Sequence, residues 1–135
     1  MSRLIRIALG IVVGLVAWFA IATAGNFLLR ATIVGYIQAE PSFQFTTPML
    51  IARLALGAAS SVVAGLACAL VARSVPNEAR AFAVALLLLF LPVHYGLWTQ
   101  FPFWYHVLFL GSLVPLALLG ARLGRASGPG SRRTA

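Results

Sequence analysis

Five polar side chains of this sequence have the chemistry to form a site: Asn26, Glu40, Arg53, His94 and His106. Arginine supplies a fixed positive charge with a planar set of donors, and histidine can titrate near neutral pH. Asparagine both donates and accepts hydrogen bonds, and glutamate brings a counter-charge. Together these residues predict a small binding site for an anion, a lipid head group or a proton-linked ligand.

The same residues also have a structural interpretation, which the sequence alone leaves open. Arg53 would then extend to the lipid head groups or pair with Glu40, and the two histidines would bind loop carbonyls. Ionisable side chains inside a membrane span are costly and usually face protein or water. Either interpretation therefore places these groups toward the interior of the protein.

Catalytic and metal-binding chemistry is not expected. Two histidines on neighbouring helices with one loop carboxylate make a weak ligand set for a metal or a haem. The single cysteine, Cys68, lies about 22 Å deeper along its helix than Arg53. Ser60 and Ser61 lie on a packing surface, and the chain has no Gly-x-Ser-x-Gly motif. We predict a non-enzymatic protein without catalytic residues, metal or cofactor.

Four apolar stretches must position the candidate site residues. The chain has 135 residues, of which 61% are hydrophobic and 9% charged, against about 25% charged in a soluble domain. A helix needs about 20 apolar residues to cross a bilayer, and the stretches of that length are 7–29, 49–72, 79–98 and 103–123. The fold predicted is an all-α integral membrane protein, an antiparallel bundle of four transmembrane helices in one domain, 1–125. Residues 126–135 are predicted to form a disordered basic tail.

The arginines predict the orientation of the chain. Eight of the ten fall at one set of stretch ends: Arg3, Arg6, Arg73, Arg80, Arg122, Arg125, Arg132 and Arg133. Positive residues concentrate on the cytoplasmic side, so both termini and the tail are predicted to be cytoplasmic. Because the arginines flank spans and form no contiguous basic face, the net charge of +8 does not predict nucleic-acid binding. Arginine in place of lysine, together with much alanine, suggests a GC-rich bacterial genome, and the predicted location is a bacterial inner membrane.

The candidate site residues share a predicted depth. At 1.5 Å per helical residue, Asn26, Arg53, His94 and His106 each lie about 6–7 Å inside the surface opposite to the termini. Glu40 belongs to the loop 31–47, which is apolar enough to lie in the interface or to cap the bundle. The turn that follows the third span is rich in aromatic residues, which are expected to anchor it at the head groups: Trp98, Phe101, Phe103, Trp104 and Tyr105.

Residues 1–24 also resemble a signal peptide, with a basic start, an apolar core and the sequence Ala22-Thr23-Ala24. The apolar run continues through Leu29, which is longer than a usual signal core. We therefore expect a retained first span. Cleavage would leave three spans, each with the same orientation.

Small residues are expected to pack the helices, because close backbone approach stabilises helix pairs in lipid. The rows are Gly10 and Gly14 in the first span, and Gly57, Ser61, Gly65 and Ala69 in the second. An antiparallel register predicts five pairs: Gly10 with Ala69, Gly14 with Gly65, Trp18 with Ser61, Ala22 with Gly57, and Asn26 with Arg53.

Two segments carry a resemblance: FPFWYHVLFLGSLVPLALLGARL at 101–123 and TPMLIARLALG at 47–57. They resemble small four-span proteins of bacterial inner membranes. The resemblance implies the fold and the location, and it implies no activity and no site residues.

The function expected first is that of an accessory or interaction component of the membrane. Its expected partners are the lipid bilayer and either a second copy of the chain or another membrane protein. One alternative is an oligomeric subunit of a small transporter or channel with an outward-facing polar site. A second alternative is a haem or quinone membrane anchor. A drug–proton exchanger is disfavoured because such carriers use an acidic residue in the first span, and this span has none.

Overall fold

The structure is a computed structural model that describes residues 1–72 and 77–127. Within them the chain forms five helices: α1 (Arg3–Thr32), α2 (Tyr36–Ala39), α3 (Thr47–Ala72), α4 (Glu78–Gly96) and α5 (Phe103–Ala126). The predicted cytoplasmic Arg73, and residues 128–135 of the predicted tail, lie outside the described residues.

Four of these helices, α1, α3, α4 and α5, are long and apolar enough to cross a membrane. The predicted all-helical class is thereby confirmed, and the four helices of spanning length and composition indicate a multi-pass membrane protein. The largest difference in bounds is at α1, which begins at Arg3 and not at residue 7. Ser2 caps this end, since its side chain accepts a hydrogen bond from the backbone N–H of Ile5 at 3.3 Å.

Helix α3 packs against α5 through direct backbone contact. A Cβ atom added at Gly65 would overlap the backbone of Ala117, and one added at Gly120 would overlap the backbone of Val62. Only glycine, which has no Cβ atom, allows the backbones of the two helices to approach this closely. The α3–α5 pair is therefore fixed in register by two glycines, one on each helix.

The small-residue row of α3 mostly faces α5 and not α1. Gly57 packs against the ring of Phe109, and Ala69 packs against Gly124. The neighbours found for these two residues are thus on α5, and not the predicted partners Ala22 and Gly10. A four-residue spacing identifies a packing face, but it does not say which neighbouring helix occupies that face.

Helix α1 meets α3 and α4 through its own glycines. Gly10 lies against Cys68 and Ala72 of α3. These residues lie on either side of Ala69 in the sequence, so the contact is close to the predicted one. Gly14 packs against the ring of Phe82 of α4 in place of the predicted Gly65. The first glycine row thus packs against two helices at once.

The Trp18–Ser61 pair occurs as the register predicts. The indole N–H of Trp18 donates to Oγ of Ser61 at 3.1 Å, and Ser61 in turn donates to the carbonyl of Gly57 at 2.8 Å. Helices α1 and α3 are therefore antiparallel, since the contacts proceed from Gly10–Ala72 to Trp18–Ser61.

An aromatic cluster joins α1, α4 and α5 beside this hydrogen bond. The rings of Trp18 and Phe90 lie 4.5 Å apart between centroids, and those of Phe90 and Phe109 lie 5.3 Å apart. All three side chains are buried. This cluster packs α1 against α4 and α5.

Candidate functional site

The segment between α1 and α3 folds back over the ends of these helices. Gly35 has a φ of 82°, a left-handed conformation that glycine adopts without strain, and α2 begins at the next residue. Tyr36 is consequently fully buried, with its ring 5.4 Å from that of Phe45 between centroids. The apolar loop therefore covers α1 and α3 and delivers a tyrosine hydroxyl to the interior.

The hydroxyl of Tyr36 connects two of the candidate site residues. It donates to Oδ1 of Asn26 at 2.9 Å and accepts from Nη1 of Arg53 at 2.7 Å. Asn26 and Arg53 are thus brought together, but through a residue from the loop and not by direct contact. Neither residue type nor spacing had singled out Tyr36 in the sequence.

The guanidinium of Arg53 lies among neutral groups. Its Cζ atom is 4.7 Å from the centroid of the Phe45 ring, a cation–π contact. The hydroxyl of Tyr105, on α5, interacts with the same guanidinium. Nε of Arg53 is buried and has no hydrogen-bond partner within 1–72 and 77–127. The site therefore holds a cation with a donor still to be satisfied, which is costly unless an anion or another acceptor is bound.

Glu40 pairs with Arg30. Nε and Nη2 of Arg30 donate to the two carboxylate oxygens at 2.7 and 2.6 Å, a bidentate arrangement. This hydrogen bonding, together with the positive charge of Arg30 and a smaller effect of the charge of Arg53, holds the pKa of the Glu40 carboxyl below its ordinary value. The interpretation in which Glu40 pairs with Arg53 is wrong, because both carboxylate oxygens are already engaged at the end of α1.

His94 of α4 and His106 of α5 bind each other. Their Nδ1 atoms are 2.8 Å apart, and Nε2 of His106 is 3.3 Å from the backbone carbonyl oxygen of Trp98. Both side chains are buried, at 5% and 1% exposure. At this distance the Nδ1–Nδ1 contact is a hydrogen bond, and within residues 1–72 and 77–127 no group of three or more His, Cys, Asp or Glu side chains is arranged to hold a metal ion.

A cavity of about 410 Å³ unites these groups. All four long helices contribute to its wall, and three of the five candidate site residues line it: Asn26, Arg53 and His94. The other two do not line the cavity but bind residues that do: Glu40 binds Arg30, and His106 binds His94. We call this space the polar cavity. Its remaining wall is largely apolar: Trp18, Ala22, Thr23, Phe27, Leu56, Gly57, Phe90, Val93, Leu97, Phe101, Tyr105 and Phe109.

The aromatic residues near the turn after α4 divide into two groups. Trp98, Phe103 and Trp104 are exposed, as anchors at the head groups would be. Phe101 and Tyr105, which the sequence placed in the same group, are buried at 7% and 4% exposure and line the polar cavity. The sequence offered one signal for Tyr105 as a site residue, namely its position next to the candidate His106.

Comparison with protein-family models, with curated proteins and with solved structures finds no match for this chain. The geometry of the polar cavity is therefore the basis for assigning a function.

Proposed function

We propose that this chain is a non-enzymatic accessory protein of the membrane, and that it binds the acidic head group of an amphiphile in the polar cavity. The observation that carries the proposal is the environment of Arg53. Its guanidinium is charged at any physiological pH, it has a buried Nε without a hydrogen-bond partner in the described chain, and the carboxylate nearest in the sequence is bound to Arg30.

The electrostatic argument favours an anion. Burying a charge without a paired counter-ion is expensive, and the groups that touch Arg53 here are neutral hydroxyls and an aromatic face. A phosphate or carboxylate oxygen would accept from the free donor and would neutralise the charge, and such charge-assisted bonds are about twice as strong as neutral ones.

The composition of the wall favours an amphiphile over a free ion. A few polar groups face a cavity whose other walls are mainly apolar and aromatic, the usual composition of a site for an organic ligand. The volume of about 410 Å³ also lies in the range of about 300–1,000 Å³ typical of ligand sites. The cavity is bounded by membrane-spanning helices, so an acyl chain could continue into the lipid while the head group stays inside.

The membrane arrangement that accompanies this proposal is an antiparallel four-helix bundle with both termini in the cytoplasm of a bacterium, spanning its inner membrane. The arginine distribution supports it, because Arg30 and Arg53 are the two arginines away from the predicted cytoplasmic ends. The polar cavity would then face the outer leaflet, and its ligand would come from that leaflet.

The test is lipid binding by the purified protein in detergent, measured by native mass spectrometry with phosphatidylglycerol and phosphatidylcholine of identical acyl chains. We expect the protein to retain the acidic lipid preferentially. Arg53→Gln should weaken that binding by about tenfold or more, because a charged partner is lost from a site shielded from water. Arg122→Gln, which removes an exposed arginine outside the cavity, is the matched control and should bind as the unchanged protein does.

Two results would contradict the proposal. The first is equal loss of acidic-lipid binding in both variants, since that would assign the effect to overall charge. The second is displacement of the lipid by inorganic phosphate at millimolar concentration, since that would identify a free anion as the ligand.

A further inference from the structure

The hydrogen bonds of the histidine pair determine which nitrogens carry protons. The backbone oxygen of Trp98 can only accept, so Nε2 of His106 must be the donor in their 3.3 Å contact. In a neutral ring the Nδ1 of His106 then has a free lone pair. The Nδ1 of His94, 2.8 Å away, must therefore carry the hydrogen and donate it. Neutral His94 is left with a bare Nε2, which is a hydrogen-bond acceptor.

Packing holds this arrangement in place. The His106 ring stacks on that of Trp98 with 4.7 Å between centroids, and the His94 ring lies 4.5 Å from Phe109 and 6.1 Å from Tyr105. A second hydrogen on the shared Nδ1 contact would set two N–H groups against each other across 2.8 Å. The geometry thus keeps a single hydrogen between the rings, and in the neutral pair Nε2 of His94 is the remaining acceptor.

His94 is one of the residues that line the polar cavity. Its one side-chain hydrogen bond within the described part of the chain is the Nδ1 contact with His106. The same wall holds the guanidinium of Arg53, which can only donate. The residues of the wall therefore include both an acceptor and a positively charged donor for one ligand.

We infer that the head group bound in the polar cavity carries a hydroxyl group beside its negative charge. Arg53 binds the anionic oxygen and Nε2 of His94 accepts a hydrogen bond from the hydroxyl. The chemical class is an acidic phospholipid with a polyol head group, of which phosphatidylglycerol is the simplest probe. This inference rests on the proposed binding of an acidic head group and adds the selection among such head groups.

The experiment compares two lipids that differ only in the hydroxyls. Phosphatidylglycerol and phosphatidylpropanol are both phosphodiesters with one negative charge and a three-carbon head group, and phosphatidylpropanol has no head-group hydroxyl. With identical acyl chains and native mass spectrometry in detergent, we expect the unchanged protein to prefer phosphatidylglycerol by roughly five- to tenfold, the effect of a hydrogen bond made in a shielded site.

Two substitutions locate the preference. His94→Phe keeps a ring but removes the acceptor, and it should bind the two lipids equally. His94→Gln restores an acceptor oxygen and should recover part of the preference. Because the comparison of the two lipids on the unchanged protein needs no substitution, the inference can be tested even if the variants fold poorly.

The outcomes separate this inference from the proposed function. Equal binding of both lipids by the unchanged protein, with loss of both in Arg53→Gln, would overturn the hydroxyl selection and leave the acidic site standing. Unchanged binding in Arg53→Gln would overturn the acidic site, and the inference with it. A preference for phosphatidylglycerol that survives in His94→Phe would also overturn the inference, because another group would then read the hydroxyl.

Discussion

At the scale of single residues, one hydroxyl organises the polar cavity. Tyr36 accepts from Arg53 and donates to Asn26, so one side chain from a four-residue helix joins α1 and α3. Buried polar groups are stable only when their hydrogen bonds are made. Asn26 and Arg53, which the sequence had offered as candidates, therefore depend on Tyr36. The sequence did not indicate Tyr36, because a loop has no periodic pattern that predicts the direction of its side chains.

Replacing Tyr36 by Phe should destabilise the protein and alter the site. The substitution keeps the buried ring but removes the hydroxyl, which takes a partner from both Arg53 and Asn26. We expect a loss of about 1–3 kcal/mol, measured as a lower midpoint of thermal unfolding in detergent. Tyr95→Phe is the control, since that side chain is 84% exposed and its loss should leave the midpoint unchanged. Equal midpoints for the two variants would contradict the role given to Tyr36.

The Arg30–Glu40 pair predicts a pH dependence for the loop that carries Tyr36. The folded-state pKa of Glu40 lies below its ordinary value of 4.5, so the pair contributes fully above that value. Its contribution is lost as the pH falls through the lowered pKa. Hydrogen exchange at the amides of Ala39, Glu40 and Gln44, which are bonded within this loop, should therefore stay slow near neutral pH. It should accelerate, after correction for intrinsic rates, only below 4.5.

Glu40→Gln is the matching variant for this pH experiment. It removes the titrating group while keeping the size of the side chain, so loop exchange should be faster and should show no acid transition. An acid transition of unchanged position in this variant would assign the effect to another group.

At the scale of helices, α3 is the element against which α1 and α5 are placed. Its small residues had suggested a single partner, because the four-residue spacing of Gly57, Ser61, Gly65 and Ala69 identifies one face. In the structure this face is divided, with Ser61 bound to Trp18 of α1 and the other three against α5. Spacing along one helix contains no information on the direction from which a neighbour approaches, and only packing of all four helices decides it.

Gly65→Ala should weaken the α3–α5 pair. The new methyl group would overlap the backbone of Ala117, which cannot move aside as a flexible side chain could. We expect a loss of about 1–3 kcal/mol, the usual cost of overpacking, measured by thermal unfolding in detergent. Gly111→Ala in α5 is the control, because a methyl group there meets nothing within 4 Å. A midpoint for Gly65→Ala equal to that of the control would contradict the close approach.

At the scale of the whole molecule, the proposed orientation can be tested by labelling from outside the cell. In a Cys68→Ala background, which removes the fully buried thiol, single cysteines are placed at Val34 and at Ser2. Val34 is 96% exposed in the loop before α2, and Ser2 is exposed at the start of α1. A membrane-impermeant maleimide should label Val34→Cys in intact cells and Ser2→Cys only after the membrane is disrupted. The reverse pattern would place the polar cavity on the cytoplasmic side.

The sequence by itself determined that the chain forms long apolar helices in a membrane. This follows because a span requires about 20 apolar residues in a row, a property of composition that needs no tertiary contact. It also predicted a common depth for four polar residues, because helical rise is constant along each span.

Only the tertiary structure decided which of those residues form a site. It paired Glu40 with Arg30, joined His94 to His106, and inserted Tyr36 and Tyr105 beside Arg53. Depth is one coordinate, whereas a hydrogen bond depends also on rotation about each helix axis and on the path of the loops. Those are set by packing between helices, above all by the close approach of α3 and α5 at Gly65, and for that reason they could not be read from the order of the residues.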